Sequence, residues 1–210
     1  ENTARAGSAM AEAIRHTGVK RVVMLSSIGA DLPSGTGPIA GLHRIEQTYR
    51  NLPGVQVLFL RAGFFYINFY HDIPVIKAAG IMGNNFSGGT VLPMVHPEDI
   101  AEAVAEGLVS GNTGVEYVIS DIRTASEVAT ILGAAIGNPG LPWVQFSDEQ
   151  LLQGMTQAGI PSDIAAMYAE MGRGMGDGSI ARHFQSEGSV VNGRTRLETF
   201  AKSFAEKFNG

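Results

Sequence analysis

Apolar and polar positions alternate between two periods along this chain. Around Ala6 to Gly18, Met10, Ala13 and Ile14 recur at helical spacing and a glycine stops the pattern, which predicts a first helix. "VVML" (22 to 25) follows as a continuous apolar run rich in β-branched residues, as a strand covered on both faces requires. Pro38 opens a second helix carrying Leu42, Ile45 and Tyr49, and Gly54 leads into a second buried run, "VQVLFL" (55 to 60). Helix, strand, helix, strand is α/β grammar.

The same rhythm continues downstream. Pro97, Glu98 and Asp99 make a first helical turn, with Ile100, Ala103, Val104 and Leu108 as the inward stripe and Gly111 as the stop. The two acids suit the helix dipole without needing another purpose. "VEYVIS" (115 to 120) predicts the next strand. Thr124 with Glu127, Ser147 with Gln150, and Thr195 with Glu198 have capping-box spacing. Ile164, Met167, Tyr168, Met171 and Met175 form a methionine-rich stripe, read as core or pocket lining because Met is an adaptable filler. "GRGMGDG" (172 to 178) reads as a helix end and loop, and Leu197, Phe200, Ala201, Phe204 and Phe208 give the last helix an apolar face that must dock.

Composition narrows the function classes. With 44% apolar and 17% charged residues in 210, the chain can bury one ordinary core. A net charge of −5 and scattered Lys and Arg leave no basic footprint, so nucleic acid and anionic membrane are poor partners. The absence of cysteine excludes disulfides and thiolate chemistry. No apolar stretch reaches the about 20 residues of a bilayer span.

Ligands of open parallel sheets sit beyond the carboxyl ends of the strands. Ser26 and Ser27 stand at such an end, to bind a ligand or to satisfy the backbone as the chain leaves the sheet. The second strand ends at "RAGFFYIN" (61 to 68): a charge, a small pair, three aromatics and an amide, a combination suited to a wall with polar anchors. A buried Arg61 needs acceptors, from a cap, a carboxylate or a cofactor phosphate. A Ser, Asp31, His43 triad lacks any G-x-S-x-G elbow, and neither His71 with Asp72 nor His96 with Glu98 and Asp99 has a metal-ligand spacing.

The ordered series "GVKRVVMLSSIGA", "GLHRIEQTYR", "VLFLRAGFFYINF", "MVHPEDIAEAVAEGL", "GVEYVIS" and "TRLETFAKSFAEKF" resembles the NmrA-like group of atypical short-chain dehydrogenase/reductases over nearly the whole chain. The resemblance implies an α/β fold: a partial doubly wound, Rossmann-like parallel sheet in residues 1–120 and a smaller, mostly helical substrate or partner part in 121–210, the two interleaved. It implies NADP or NAD as cofactor and hydride transfer to a small carbonyl or quinone-like substrate in a cytoplasmic protein. The alternative it allows is a non-catalytic NAD(P) sensor that binds a protein partner. Carried over to this sequence, it places Ser26, Ser27, Arg61, Ala62, Gly63 and Phe64 at the cofactor, Phe65, Tyr66, Asn68 and His96 in the substrate pocket, and His43 as proton donor or nicotinamide-side partner. His96 also reads as the residue before a helix start.

Two departures stand beside the resemblance. No G-x-x-G-x-x-G phosphate loop is present, so two or three βα units, on the order of 60 to 90 residues at about 30 per unit, are expected outside this sequence, upstream of Glu1. The Tyr-x-x-x-Lys pair of typical short-chain dehydrogenases is also missing, Tyr49 being followed four places on by Pro53.

Overall fold

The computed structural model describes residues 2–184 and 189–210. Its elements run α1 (Asn2–Thr17), β1 (Arg21–Ser27), α2 (Ile39–Arg50), β2 (Gln56–Ala62), β3 (Phe64–Phe65), a 3-10 helix (Tyr66–Asp72), α3 (Ile73–Ala79), β4 (Met82–Asn84), β5 (Val91–Val95), α4 (Pro97–Ser110), β6 (Gly114–Ile119), β7 (Asp121–Thr124), α5 (Ala125–Ala135), β8 (Trp143–Gln145), α6 (Asp148–Gln157), α7 (Ser162–Gly176), β9 (Ser189–Asn192) and α8 (Leu197–Asn209). Four strands form one parallel sheet in the order β1-β2-β6-β9. A second sheet, β3-β5-β7, pairs β3 with β5 in parallel and β5 with β7 antiparallel, and β4 pairs with β8 apart from both. Because β9 adds to β6, the chain returns to the first sheet after residue 121.

Strand β2 is buried along almost its whole length, since its two faces meet different layers. Val57 and Phe59 join Ala11, Ile14, Ile45 and Tyr49 beneath α1 and α2, whereas Leu58 and Leu60 join Ile100, Ala103 and Val118 beneath α4. That period-two split over two covered faces is why the run reads as unbroken apolar sequence. Strand β1 differs from expectation. It lies at the sheet edge, its residues are mostly half-buried, and Leu25 is exposed, beside an apolar groove of about 250 Å³ shared with Met10 and Leu42.

Several helix faces also turn out rotated from the pattern. In α1 the buried positions are Gly7, Ala11 and Ile14, while Met10 faces out. In α4 Leu108 is exposed and Gly107 faces the sheet, where a side chain would press on Leu58. In α7 the buried face is Ala165, Ala169, Gly172, Gly174 and Met175, with Tyr168 exposed, so small residues make the contact and most of the larger ones flank it. The helix runs through "GRGMG" and ends at Gly176, within the "GRGMGDG" stretch expected to hold a helix end and loop. A β-carbon at Gly172 would overlap the Asn85 side-chain amide, and this close approach accounts for the glycine.

The capping boxes at Thr124 and Ser147 form with both reciprocal bonds. The third does not. Arg196 is the N-cap of α8, and the Thr195 hydroxyl donates instead to Asp99, 3.2 Å away. The α8 face of Leu197, Phe200, Ala201 and Phe204 is buried in the largest core cluster with Tyr66, Met94 and Leu132.

Candidate functional site

Register sets the strand ends in one row. Ser27 of β1 lies opposite Ala62 of β2, and Ala62 opposite Val118 of β6. The ladder runs one residue further, Ile28 N–H donating to the Ala62 carbonyl at 3.0 Å and Gly63 N–H to that of Val118 at 3.1 Å. A β-carbon at Gly63 would stand 2.6 Å from the Pro93 carbonyl oxygen, so the passage from the first sheet to the second requires glycine.

The two adjacent serines part ways at this edge, as neighbouring strand residues must. Ser26 is buried and its hydroxyl donates to Glu46 at 2.6 Å. Ser27 is half-buried, and its hydroxyl makes no hydrogen bond among the described residues. Arg61 shares the buried side with Ser26. Its Nε and Nη2 donate to the two Glu46 carboxylate oxygens at 3.0 and 2.8 Å, its Nη1 to the Tyr117 hydroxyl at 3.1 Å, and Asp31 lies 3.6 Å from Nη1. Burial works against the guanidinium charge, but the Glu46 and Tyr117 contacts outweigh it and hold the Arg61 pKa above its ordinary value. Of the acceptors open to Arg61 in sequence, a carboxylate, that of Glu46, is met, with the Tyr117 hydroxyl beside it. The sequence reading passed over Glu46, although it falls on the α2 stripe with Leu42, Ile45 and Tyr49, where an acid on a buried face is itself a signal.

His43, on α2, is held by the loop after β1. Its Nδ1 lies 2.9 Å from the Ala30 carbonyl oxygen, which can only accept, so Nδ1 carries a proton and donates, and Nε2 is the ring nitrogen turned away from this bond.

The "GFFYIN" residues divide among different surroundings. Phe64 packs against the largest core cluster and Phe69, with ring centroids 5.2 Å apart, while Phe65 faces the cluster beneath α4. Tyr66 is fully buried, its ring stacked on Phe200 and its hydroxyl donating to the Thr195 carbonyl at 3.0 Å; burial, then the charges of Asp121 and Asp99, raises its pKa. It therefore anchors α8 and lines no open pocket. Asn68 is half-buried and accepts at its carbonyl from His71, 3.1 Å away. His96 caps α4, its Nδ1 accepting from the Glu98 N–H at 3.2 Å.

Asp99 has a purpose beyond the helix dipole. It is buried, accepts from the Ser120 hydroxyl at 2.5 Å and from the backbone N–H and hydroxyl of Thr195 at 3.1 and 3.2 Å. Burial pushes its pKa up, but the bonds from Ser120, Thr195 and Arg194 prevail and lower it. Beside it, Asp121 accepts from Leu197 N–H at 3.3 Å and pairs with Arg123 at 3.2 Å, and Arg196 donates to the Ser120 carbonyl at 2.7 Å.

No family model matches the sequence, and no curated protein does. Among solved structures, an NADPH-dependent quinone oxidoreductase from Escherichia coli superposes with a TM-score of 0.74 at 18% identity over 94% of this chain and 72% of its own. The fold is Rossmann-like. The triphenylmethane reductase of Citrobacter sp. matches at TM-score 0.73 and 20% identity over 95% of this chain and 70% of its own. A nucleoside-diphosphate-sugar epimerase from Staphylococcus aureus gives 0.69 and 16% over 93% and 69%. The oxidoreductase and the reductase have also been solved with NADPH and NADP(H), respectively. Ser27, Ala62 and Gly63 stand at the carboxyl ends of their strands, the side on which open parallel sheets in general hold ligands. No helix among the described residues is long and apolar enough to cross a membrane.

Proposed function

We propose that this chain is the substrate-side portion of an NAD(P)-dependent oxidoreductase of the NmrA-like, atypical short-chain dehydrogenase/reductase group, acting on a small carbonyl or quinone-like compound. One observation carries the reading: at the row of strand ends, a serine hydroxyl with no hydrogen bond among the described residues adjoins a loop whose carbonyl accepts a hydrogen bond from His43 Nδ1. The likeness to two reductases of similar fold supports it.

The residues present suit one end of the cofactor. Ser27 and the backbone around Gly63 and Phe64 would bind and orient the nicotinamide ring, which would supply a hydride when bound. The phosphate end has no match in this sequence, because there is no glycine loop and the Arg61 guanidinium is engaged by Glu46 and Tyr117. In this reading Arg61 and Ser26 stiffen the floor of the site. His43 holds its Nδ1 proton on Ala30, and its Nε2, once protonated, donates to the substrate oxygen.

The test is steady-state NADPH oxidation, with a panel of quinones, by the whole oxidoreductase of which this chain is proposed to be a portion. His43→Ala is expected to lower kcat/KM by less than the ~10⁴-fold that a principal general acid can supply, with NADPH affinity nearly unchanged. Absence of turnover with every quinone and carbonyl tried rejects the oxidoreductase reading.

A further inference from the structure

An open cavity of about 460 Å³ lies between the second sheet and the segment that follows α7. One wall is the β5/β7 ribbon. Pro93 and Ile122 are directly paired across it, and Val91, two residues from Pro93, projects from the same face. Val91 is 53% and Ile122 40% exposed, so this apolar face is uncovered among the described residues. Met175 at the end of α7 and Phe184 form the facing wall. Behind it, the Phe184 ring meets that of Tyr117 edge-on at 6.3 Å, and the Tyr117 hydroxyl is bonded to Arg61, which places the cavity next to the ends of β2 and β6.

Two charges stand at the rim, and they are not equivalent. The Asp177 carboxylate is engaged by the Ser179 backbone N–H at 2.8 Å, and the bonds from Ser179 lower its pKa. The Arg182 side chain is exposed, feels Asp177 only through charge, and makes no hydrogen bond among the described residues. Two apolar walls with a methionine and an aromatic ring suit a flat aromatic body, and a guanidinium at the rim suits an oxygen of negative or partly negative charge. The volume falls in the range of about 300 to 1,000 Å³ usual for small-molecule sites.

We propose that this cavity seats a small planar aromatic compound bearing a carbonyl or carboxylate oxygen, its rings between Ile122 and Phe184 and its oxygen on Arg182. That this compound is the substrate rests on the oxidoreductase reading; that the cavity binds it does not.

Binding is therefore measured first without cofactor, by calorimetry and ligand-observed NMR on the full chain, with 2-naphthoate and its neutral analogue 2-naphthalenemethanol as probes. Arg182→Gln is expected to weaken naphthoate by about tenfold, the loss of one charge-assisted contact, and to leave the neutral probe within about twofold. Ile122→Asp is expected to weaken both by about tenfold or more, and Val91→Asp to do the same as an independent check; both residues are exposed, so the melting transition should hold. No binding of naphthoate by the wild type, or binding that these variants leave unchanged, overturns the proposal. The expected binding pattern, found together with no NADPH oxidation by the whole oxidoreductase, upholds the site and removes the reductase reading. Turnover of naphthoquinones that all three variants sustain at the wild-type rate keeps that reading and overturns this cavity as the seat.

Discussion

Two buried polar clusters hold the strand ends of this molecule, and they are built on opposite principles. Under β1 and β2, Glu46 and Arg61 form a two-pronged ion pair, with side chains 1% and 4% exposed, to which Ser26, Tyr117, Asp31 and Arg50 add contacts. At the junction of α4, β6 and α8, Asp99 is held by a serine hydroxyl, a threonine hydroxyl and a backbone amide, with no cation bonded to it among the described residues. The first cluster balances charge with charge and stays within the sheet, its covering helix and the loop that joins them. The second uses neutral donors to fasten a segment 96 positions away, and so decides where α8 docks. A paired charge resists the loss of its partner strongly, because the survivor is left uncompensated in a dry site. A carboxylate served by hydrogen bonds loses them in smaller steps.

The largest effect should therefore come from the first cluster. Glu46→Ala is expected to cost about 3 to 5 kcal/mol, since it strands Arg61, and urea denaturation measures it. Replacing both partners, Glu46→Leu with Arg61→Met, should restore part of that loss; a double variant as unstable as the sum of the singles would break the ion-pair account.

Asp99→Ala should cost about 1.5 to 3 kcal/mol, the range for hydrogen bonds to a charged group. Its pKa is lowered on folding, so its contribution is present above the unfolded carboxylate value and lost as pH falls through the folded one. Asp99→Asn should accordingly flatten the acid limb of a stability-against-pH curve, and an unchanged limb would show that the bonds to Asp99 do not lower its pKa.

Gly172→Ala probes packing instead of charge, and the clash with Asn85 should cost about 1 to 3 kcal/mol in thermal unfolding. Asp72 supplies a contrast of sign, because burial alone pushes its pKa up to about 7. The folded chain then binds the proton more tightly than the unfolded one, and stability falls as pH rises from about 4 to 7. Asp72→Asn should raise the melting temperature at pH 8 and leave it nearly unchanged below pH 4. The smallest effect is expected at Leu108: it is exposed, and Leu108→Gln should move stability by no more than about 0.5 kcal/mol, where a core residue would lose far more.

Local order along the chain was enough to place most helices, the three strands β1, β2 and β6, two of three capping boxes and the apolar face of α8. Each depends on neighbours within a turn or on a fixed period, and a side chain three or four places away is always present to complete it. The same locality explains the misplacements. Met10, Leu108 and Tyr168 fit a helical stripe, but Gly7, Gly107 and Gly172 are the residues that touch, because close contact between elements selects small residues that hydropathy does not mark.

Within the candidate site, Arg61's need for an acceptor was legible, because a guanidinium inside an apolar strand cannot be left bare. That Glu46 would meet it, that Ser26 would turn inward while Ser27 did not, and that Thr195 would leave its own helix for Asp99 were decided by the tertiary structure alone. These bonds join residues whose separation carries no period, and only the stacking of sheet and helices brings donor to acceptor.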